Sequence, residues 1–143
     1  MDCNDYVGVK NMKDIPIDYK TRYKEVQNEN NMGNYEYSLK IANELLKEYP
    51  KYYFITKLLL GSIFWNMNNL DEAISAFQEI VIKSPNNEKI SICLFHVLWR
   101  KGLRFEALEE MKRYLTNNKS AEYTEILDGI TAKLHEKPID PDI

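Results

Sequence analysis

Leu60-Gly61-Ser62-Ile63-Phe64-Trp65-Asn66-Met67-Asn68-Asn69-Leu70-Asp71-Glu72-Ala73-Ile74-Ser75-Ala76-Phe77, closed further on by Pro85, decides how this chain reads. Leu60, Phe64, Ile74, Phe77 and Ile80 recur at helical spacing, so the stretch predicts two amphipathic helices with one apolar seam between them. Asn68-Asn69 is the polar turn that joins them, and Pro85 stops the second. Gly61 and Ala73 are small residues placed where two such helices approach closely.

Working outward, the same pattern returns on both sides. Gly33, Asn68 and Gly102 are separated by 35 and 34 residues, as are Ser38, Ala73 and Ala107; Pro50 precedes Pro85 by 35. A helix–turn–helix unit repeated at about 34 residues is the signature of a solenoid, in which each hairpin buries its open apolar face on the next. The first unit is predicted over 19–52, the second over 54–87 and the third over 88–119. Ser120 is a candidate N-cap for a last helix over 121–136 that places Tyr123, Leu127, Ile130 and Leu134 on one face. Residues 1–15 carry no clear period and read as a mobile arm, Pro16 suits a helix start, and 138–143 read as a tail. The count is seven helices and no strand.

The three units resemble the tetratricopeptide repeat family. In the second, Leu60, Gly61, Phe64, Ala73, Phe77 and Pro85 fall on the family's motif positions, with Ile80 in place of its last alanine. The first unit keeps Gly33, Tyr35 and Pro50; the third keeps Leu94, Gly102 and Ala107 but has Phe95 at the small position and Lys119 for the proline. The resemblance implies an all-α, right-handed superhelical solenoid with a C-terminal capping helix and a role in protein binding. It further implies a concave groove lined by the first helix of each hairpin. In that register the groove residues are Lys20, Tyr23, Gln27 and Asn30 in the first unit; then Ile55, Leu58, Ser62, Trp65 and Asn66; then Lys89, Ile92, His96, Trp99 and Arg100. Trp65 and Trp99 are register equivalents, and Trp and Arg dominate the energetics of interface centres. Packing against the next helix is the alternative for both. Some members clamp a chaperone's C-terminal carboxylate with five polar residues; here those positions are Tyr23, Gln27, Leu59, Lys89 and Cys93, and only Lys89 agrees.

Bulk properties narrow the function classes. In 143 residues with 44% hydrophobic content there is enough apolar material for one continuous core. A formal charge of −3 with interspersed signs does not suit a binder that neutralises phosphates, so no nucleic-acid partner is expected, and no apolar run is long enough to expect a membrane one. Cys3 and Cys93 form no framework and predict reduced thiols, Cys93 buried, in a soluble cytoplasmic protein without a leader. His96 and His135 lack the close Cys/His pairing of a zinc site, and no phosphate loop or nucleophile turn is present. Neither an enzyme nor a cofactor is expected. Glu109-Glu110 and Asp71-Glu72 read as solvated helix faces, and Tyr49, Tyr52 and Tyr53 as junction packing. The leading expectation is a groove that takes an extended or helical protein segment, with Lys20, Lys89 and Arg100 favouring acidic ones. The alternatives are a small secretion-type chaperone, a toxin-neutralising immunity protein using Glu109, Glu110, Glu122 and Glu125, or a self-assembling scaffold, including a homodimer.

Overall fold

Pro16 starts the first helix from just outside it. Its φ of −53° and ψ of 141° turn the chain into α1, Ile17–Asn31, and its carbonyl accepts from the Lys20 N–H. The structure, a computed structural model, describes residues 14–136, so the expectations for residues 1–13 and for the tail lie outside the described residues. After α1 come α2 (Tyr35–Glu48), α3 (Tyr53–Asn66), α4 (Leu70–Lys83), α5 (Glu88–Lys101), α6 (Arg104–Asn117) and α7 (Ala121–Glu136). All seven expected helices are present, and among the described residues no strand occurs. They pack in sequential neighbours, α1 on α2, α2 on α3, α3 on α4, α4 on α5 and α5 on α6, which is the order of a helical repeat.

The turns show why the period is about 34 residues. Gly33 (φ 85°), Asn68 (φ 59°) and Gly102 (φ 91°) each take the left-handed conformation. At each turn two reversed hydrogen bonds close the preceding helix: Asn34 N–H to Glu29 O and Gly33 N–H to Asn30 O, then Asn69 to Phe64 and Asn68 to Trp65, then Leu103 to Leu98 and Gly102 to Trp99. This is the Schellman arrangement, which satisfies carbonyls left open at a helix end. A 3-10 turn at Pro50–Tyr52, not expected from the pattern, links the first two hairpins.

Two apolar clusters form the core. The first gathers Tyr19, Tyr23, Val26, Ala42, Leu45, Leu59, Leu60 and Ile63; Ile15, assigned to the arm by sequence, is buried with them. The second runs from Leu58, Ala73 and Phe77 through Ile90–Phe95 to Met111, Tyr114 and Tyr123. Gly61 lies under the Phe77 ring, so close that an added Cβ would sit 2.8 Å from Phe77 Cε1. In the third unit Phe95 holds the corresponding position and turns to α7, its ring edge-on to Tyr123 at 5.7 Å. Tyr49 and Tyr52 pack on the Tyr19 ring at 5.4 and 5.1 Å, and Tyr53 donates to Glu79, which is the junction packing expected of them.

Two expectations, at Glu110 and at Cys93, need correction. Glu110 is not solvated: it is 8% exposed and accepts from Ser91 Oγ at 2.6 Å and from Arg113 at 2.7 and 2.8 Å. Because Ser91 gives its proton to Glu110, the Tyr123 hydroxyl donates to Ser91 Oγ at 2.7 Å, and the four side chains tie α5, α6 and α7 together. On α7 the buried face is Tyr123 with half-buried Ile126 and Ile130, whereas Leu127 and Leu134 are exposed. Cys93 is disulfide-bonded rather than a reduced thiol.

Candidate functional site

The expected groove residues fall into two sets. Tyr23, Leu58 and Ile92 are buried to within 1% and Ser62 to 8%, whereas Lys20, Gln27, Ile55, Trp65, His96 and Trp99 are half-buried and Asn66, Lys89 and Arg100 exposed. The split follows helix geometry. Tyr23, Leu58 and Ile92 are mid-helix, where neighbours crowd, while Trp65, Asn66, Trp99 and Arg100 occupy the last turns of α3 and α5.

Those last turns carry the most organised surface of the chain. The Arg100 guanidinium lies 4.7 Å from the centre of the Trp65 ring, and Arg104 lies 4.9 Å from that of Trp99. Trp99 stacks on Phe95 at 5.6 Å with 22° between planes, and His96 meets the same ring edge-on at 5.5 Å. Asn66 donates to the Asn30 side-chain oxygen at 3.1 Å, joining the ends of α1 and α3. Asn30, Trp65 and Trp99 therefore form a register row along three successive turns. Burial lowers the His96 imidazole below its ordinary pKa, against the opposing pull of the Glu122 carboxylate. Lys89 forms an ion pair with Glu122 at 3.6 Å.

On the other side of each first helix, a second register row is electrostatic. Arg22 pairs with Glu44 at 3.8 Å and Lys57 with Glu79 at 3.4 Å, one repeat apart. In the third unit the corresponding positions hold Ser91 and Arg113, and Glu110 bridges them. Screening by water makes the exposed pairs worth little energy, but the recurrence shows the same helix contact built three times.

The structure adds one surface that the sequence pattern missed. Trp99, Arg104, Leu108, Ile126, Ile130 and Leu134 line an open cleft between α6 and α7. Phe105, Leu108, Leu127 and Leu134 leave apolar surface on these two helices, with Leu134 70% exposed. The helical period places Leu134 on an apolar stripe without saying which part of it a neighbour covers.

A tetratricopeptide repeat family model matches residues 56–87, the second hairpin. The match covers one of the three hairpins, and the sequentially packed helices around it are consistent with such repeats. Such a repeat implies a protein–protein interaction module with protein partners in general, and repeats of this family are usually non-catalytic. No curated protein and no solved structure matches the chain. Among the described residues no group of three His, Cys, Asp or Glu side chains could hold a metal ion, and no helix is long and apolar enough to cross a membrane.

Proposed function

We propose that this repeat chain is a binding module that takes a segment of a partner protein along the ends of α3 and α5, with Trp65 and Trp99 as anchors. The observation that carries the reading is the repeated pair: two register-equivalent tryptophans, each half-buried and each faced by an arginine within 5 Å of its ring centre. A cation–π contact is worth roughly 0.5–1 kcal/mol at an exposed site. Arginines held this way present their outer N–H groups to a carboxylate. Arg100, Lys89 and Lys20 thus favour a segment with acidic residues, and half-buried Gln27, Ile55 and His96 with exposed Asn66 complete the contact surface.

The test is affinity capture with wild type, with a Trp65→Ala/Trp99→Ala variant and with an Arg100→Glu variant, followed by titration of the purified partner. A hot-spot tryptophan costs about 2 kcal/mol or more when truncated, so the double variant should weaken binding by at least thirtyfold. Unchanged affinity together with a lowered melting temperature assigns the tryptophans to packing and defeats the reading. Arg100→Glu touches no buried residue and separates loss of contact from loss of fold.

Self-assembly is the second reading, favoured by the exposed apolar residues of α6 and α7. Light scattering at two concentrations tests it, and a constant monomer mass defeats it. Reduced thiols are one of the grounds for expecting a cytoplasmic placement, and the disulfide at Cys93 withdraws that one, because such bonds persist in oxidising compartments.

A further inference from the structure

Both α4 and α6 pack on α5, and between them they leave an open groove of about 520 Å³. Along α4 it is bordered by Ile74, Gln78, Val81 and Ile82, which share one face of the helix. Leu94 and Leu98 of α5, one turn apart, lie between the two borders. Glu106 and Glu109 stand on the α6 side, also one turn apart. Burial sorts these residues into two levels. Ile74, Val81, Leu94 and Leu98 are buried and form an apolar floor, whereas Gln78, Ile82, Glu106 and Glu109 are exposed and form the rim. Ile82 is 82% exposed, an apolar side chain that its own fold leaves in water.

Charge decides what such a groove accepts. Among the described residues Glu106 and Glu109 take part in no ion pair, and the cations around them are already engaged. Arg113, which borders the groove, donates to Glu110 at 2.7 and 2.8 Å and to the Pro85 carbonyl at 3.0 Å. Arg104 lies over the Trp99 ring, and Lys101 pairs with Asp71. Two carboxylates without a counter-charge therefore flank an apolar floor. We propose that this groove is a second docking surface, which takes a cationic amphipathic helix of a partner protein. The apolar stripe of that helix enters between α4 and α6, in the manner of helix-in-groove recognition, and its lysines or arginines meet Glu106 and Glu109. The dimensions agree. From Ile74 to Val81 the floor runs about 10 Å, two helical turns, which seats two apolar side chains at i and i+4. Glu106 and Glu109 are separated by about 4.5 Å of rise, so cations one turn apart on the partner match them. A neutral or acidic helix would strip water from both carboxylates without returning a partner, and that cost selects for positive charge. The groove shares no residue with the tryptophan surface, so this docking stands whether or not that surface takes a segment.

The test is fluorescence anisotropy of the full chain with a labelled model helix of about 18 residues, long enough to hold helical structure. It carries leucines at i, i+3, i+4 and i+7 with lysines on both flanks; a twin carries glutamate for every lysine. The lysine helix should bind, and weaken as salt rises from about 0.05 to 0.3 M. The twin should bind about tenfold more weakly or less. A Glu106→Gln/Glu109→Gln variant should lose about fivefold in affinity for the lysine helix, and Ile82→Ser should lose severalfold. Glu36→Gln/Asp128→Asn removes the same charge from exposed positions elsewhere and should leave the affinity unchanged, as should Trp65→Ala/Trp99→Ala, so this proposal and the tryptophan reading fail separately. The substituted groove side chains are exposed, and circular dichroism melts check that each variant is folded; if one is not, the salt titration and the twin comparison on wild type still decide. Equal affinity for the twin, equal losses in the two charge variants, or a photo-crosslink from the lysine helix onto the α6–α7 cleft overturns the proposal. So does a dimer of the chain alone that Glu106→Gln/Glu109→Gln dissociates, since the occupant is then a second copy.

Discussion

Replacing one glycine by alanine at two places in this chain should have opposite effects on stability. Gly129 lies in α7 with nothing within 4 Å of an added Cβ. There the substitution gains helix propensity alone, about 1 kcal/mol. Gly61 lies in α3, where the new methyl would stand 2.8, 3.0 and 3.2 Å from three atoms of the Phe77 ring. Carbon atoms prefer roughly 3.5–4.0 Å, so the ring must retreat by more than half an ångström. It is 1% exposed and belongs to the same buried cluster as Ala73, Ile80 and Leu58. Overpacking of this kind costs about 1–3 kcal/mol. The propensity gain is common to both variants, so the difference between them isolates the packing cost, about 1–3 kcal/mol in favour of Gly129→Ala. Urea unfolding followed by far-ultraviolet circular dichroism measures each midpoint, and equal slopes confirm that the difference is stability. If Gly61→Ala gains as much as Gly129→Ala, α3 and α4 are not held at the distance that the Phe77 contact sets, and the account of the hairpin seam is wrong.

Three further substitutions probe other parts of the fold. Burial pushes the Tyr19 hydroxyl up from 10.0 to about 12, against the opposing hydrogen bond to Thr56; its stabilisation is complete below pH 10 and is lost as pH rises to 12, so Tyr19→Phe should make the alkaline fall in stability shallower, and an unchanged slope in pH-dependent urea melts refutes the burial argument. Glu110→Ala should cost about 1–3 kcal/mol by stranding Ser91 and Arg113, while exposed Glu109→Ala stays within about 0.5 kcal/mol of wild type; equal effects in parallel thermal melts would return Glu110 to the solvated face. Asn68 holds a left-handed backbone that glycine adopts without penalty at its two register equivalents, so Asn68→Gly should stabilise by about 0.5–1 kcal/mol, and a lowered denaturation midpoint would show that the Asn68 side chain supports the turn.

The helices were legible because a solenoid is locally written. Each turn carries its own glycine or asparagine, each hairpin its own small residue, and the spacing of Gly33, Asn68 and Gly102 sets the period without any long-range information. What escaped depends on contacts between units. Glu110 looks like any other acid on an amphipathic helix until Ser91 and Arg113, on α5 and α6, meet it. Leu127 and Leu134 belong to an apolar stripe whose covered part is set by the way α7 crosses α6, and no spacing rule encodes that angle. Cys93 lies in an apolar run that suggests an inert thiol, and its disulfide is a tertiary fact.

The same distinction sharpens where recognition should concentrate. A groove projected from register treats every inward position alike, yet burial separates the middle of each helix from its end. At the middle, Tyr23, Leu58 and Ile92 have already lost their solvent and have no apolar area left to give a partner in this state. At the end, Trp65 and Trp99 keep part of their rings exposed, and each is held in one orientation by its arginine. Binding draws on area still exposed and on side chains whose entropy is already spent. By both criteria Trp65 and Trp99 outrank the mid-helix row, and of the two Trp99 also borders the α6–α7 cleft. On the proposed reading, a segment lying along the two tryptophans would reach the cleft by continuing past Trp99 beside Arg104, both of which line it.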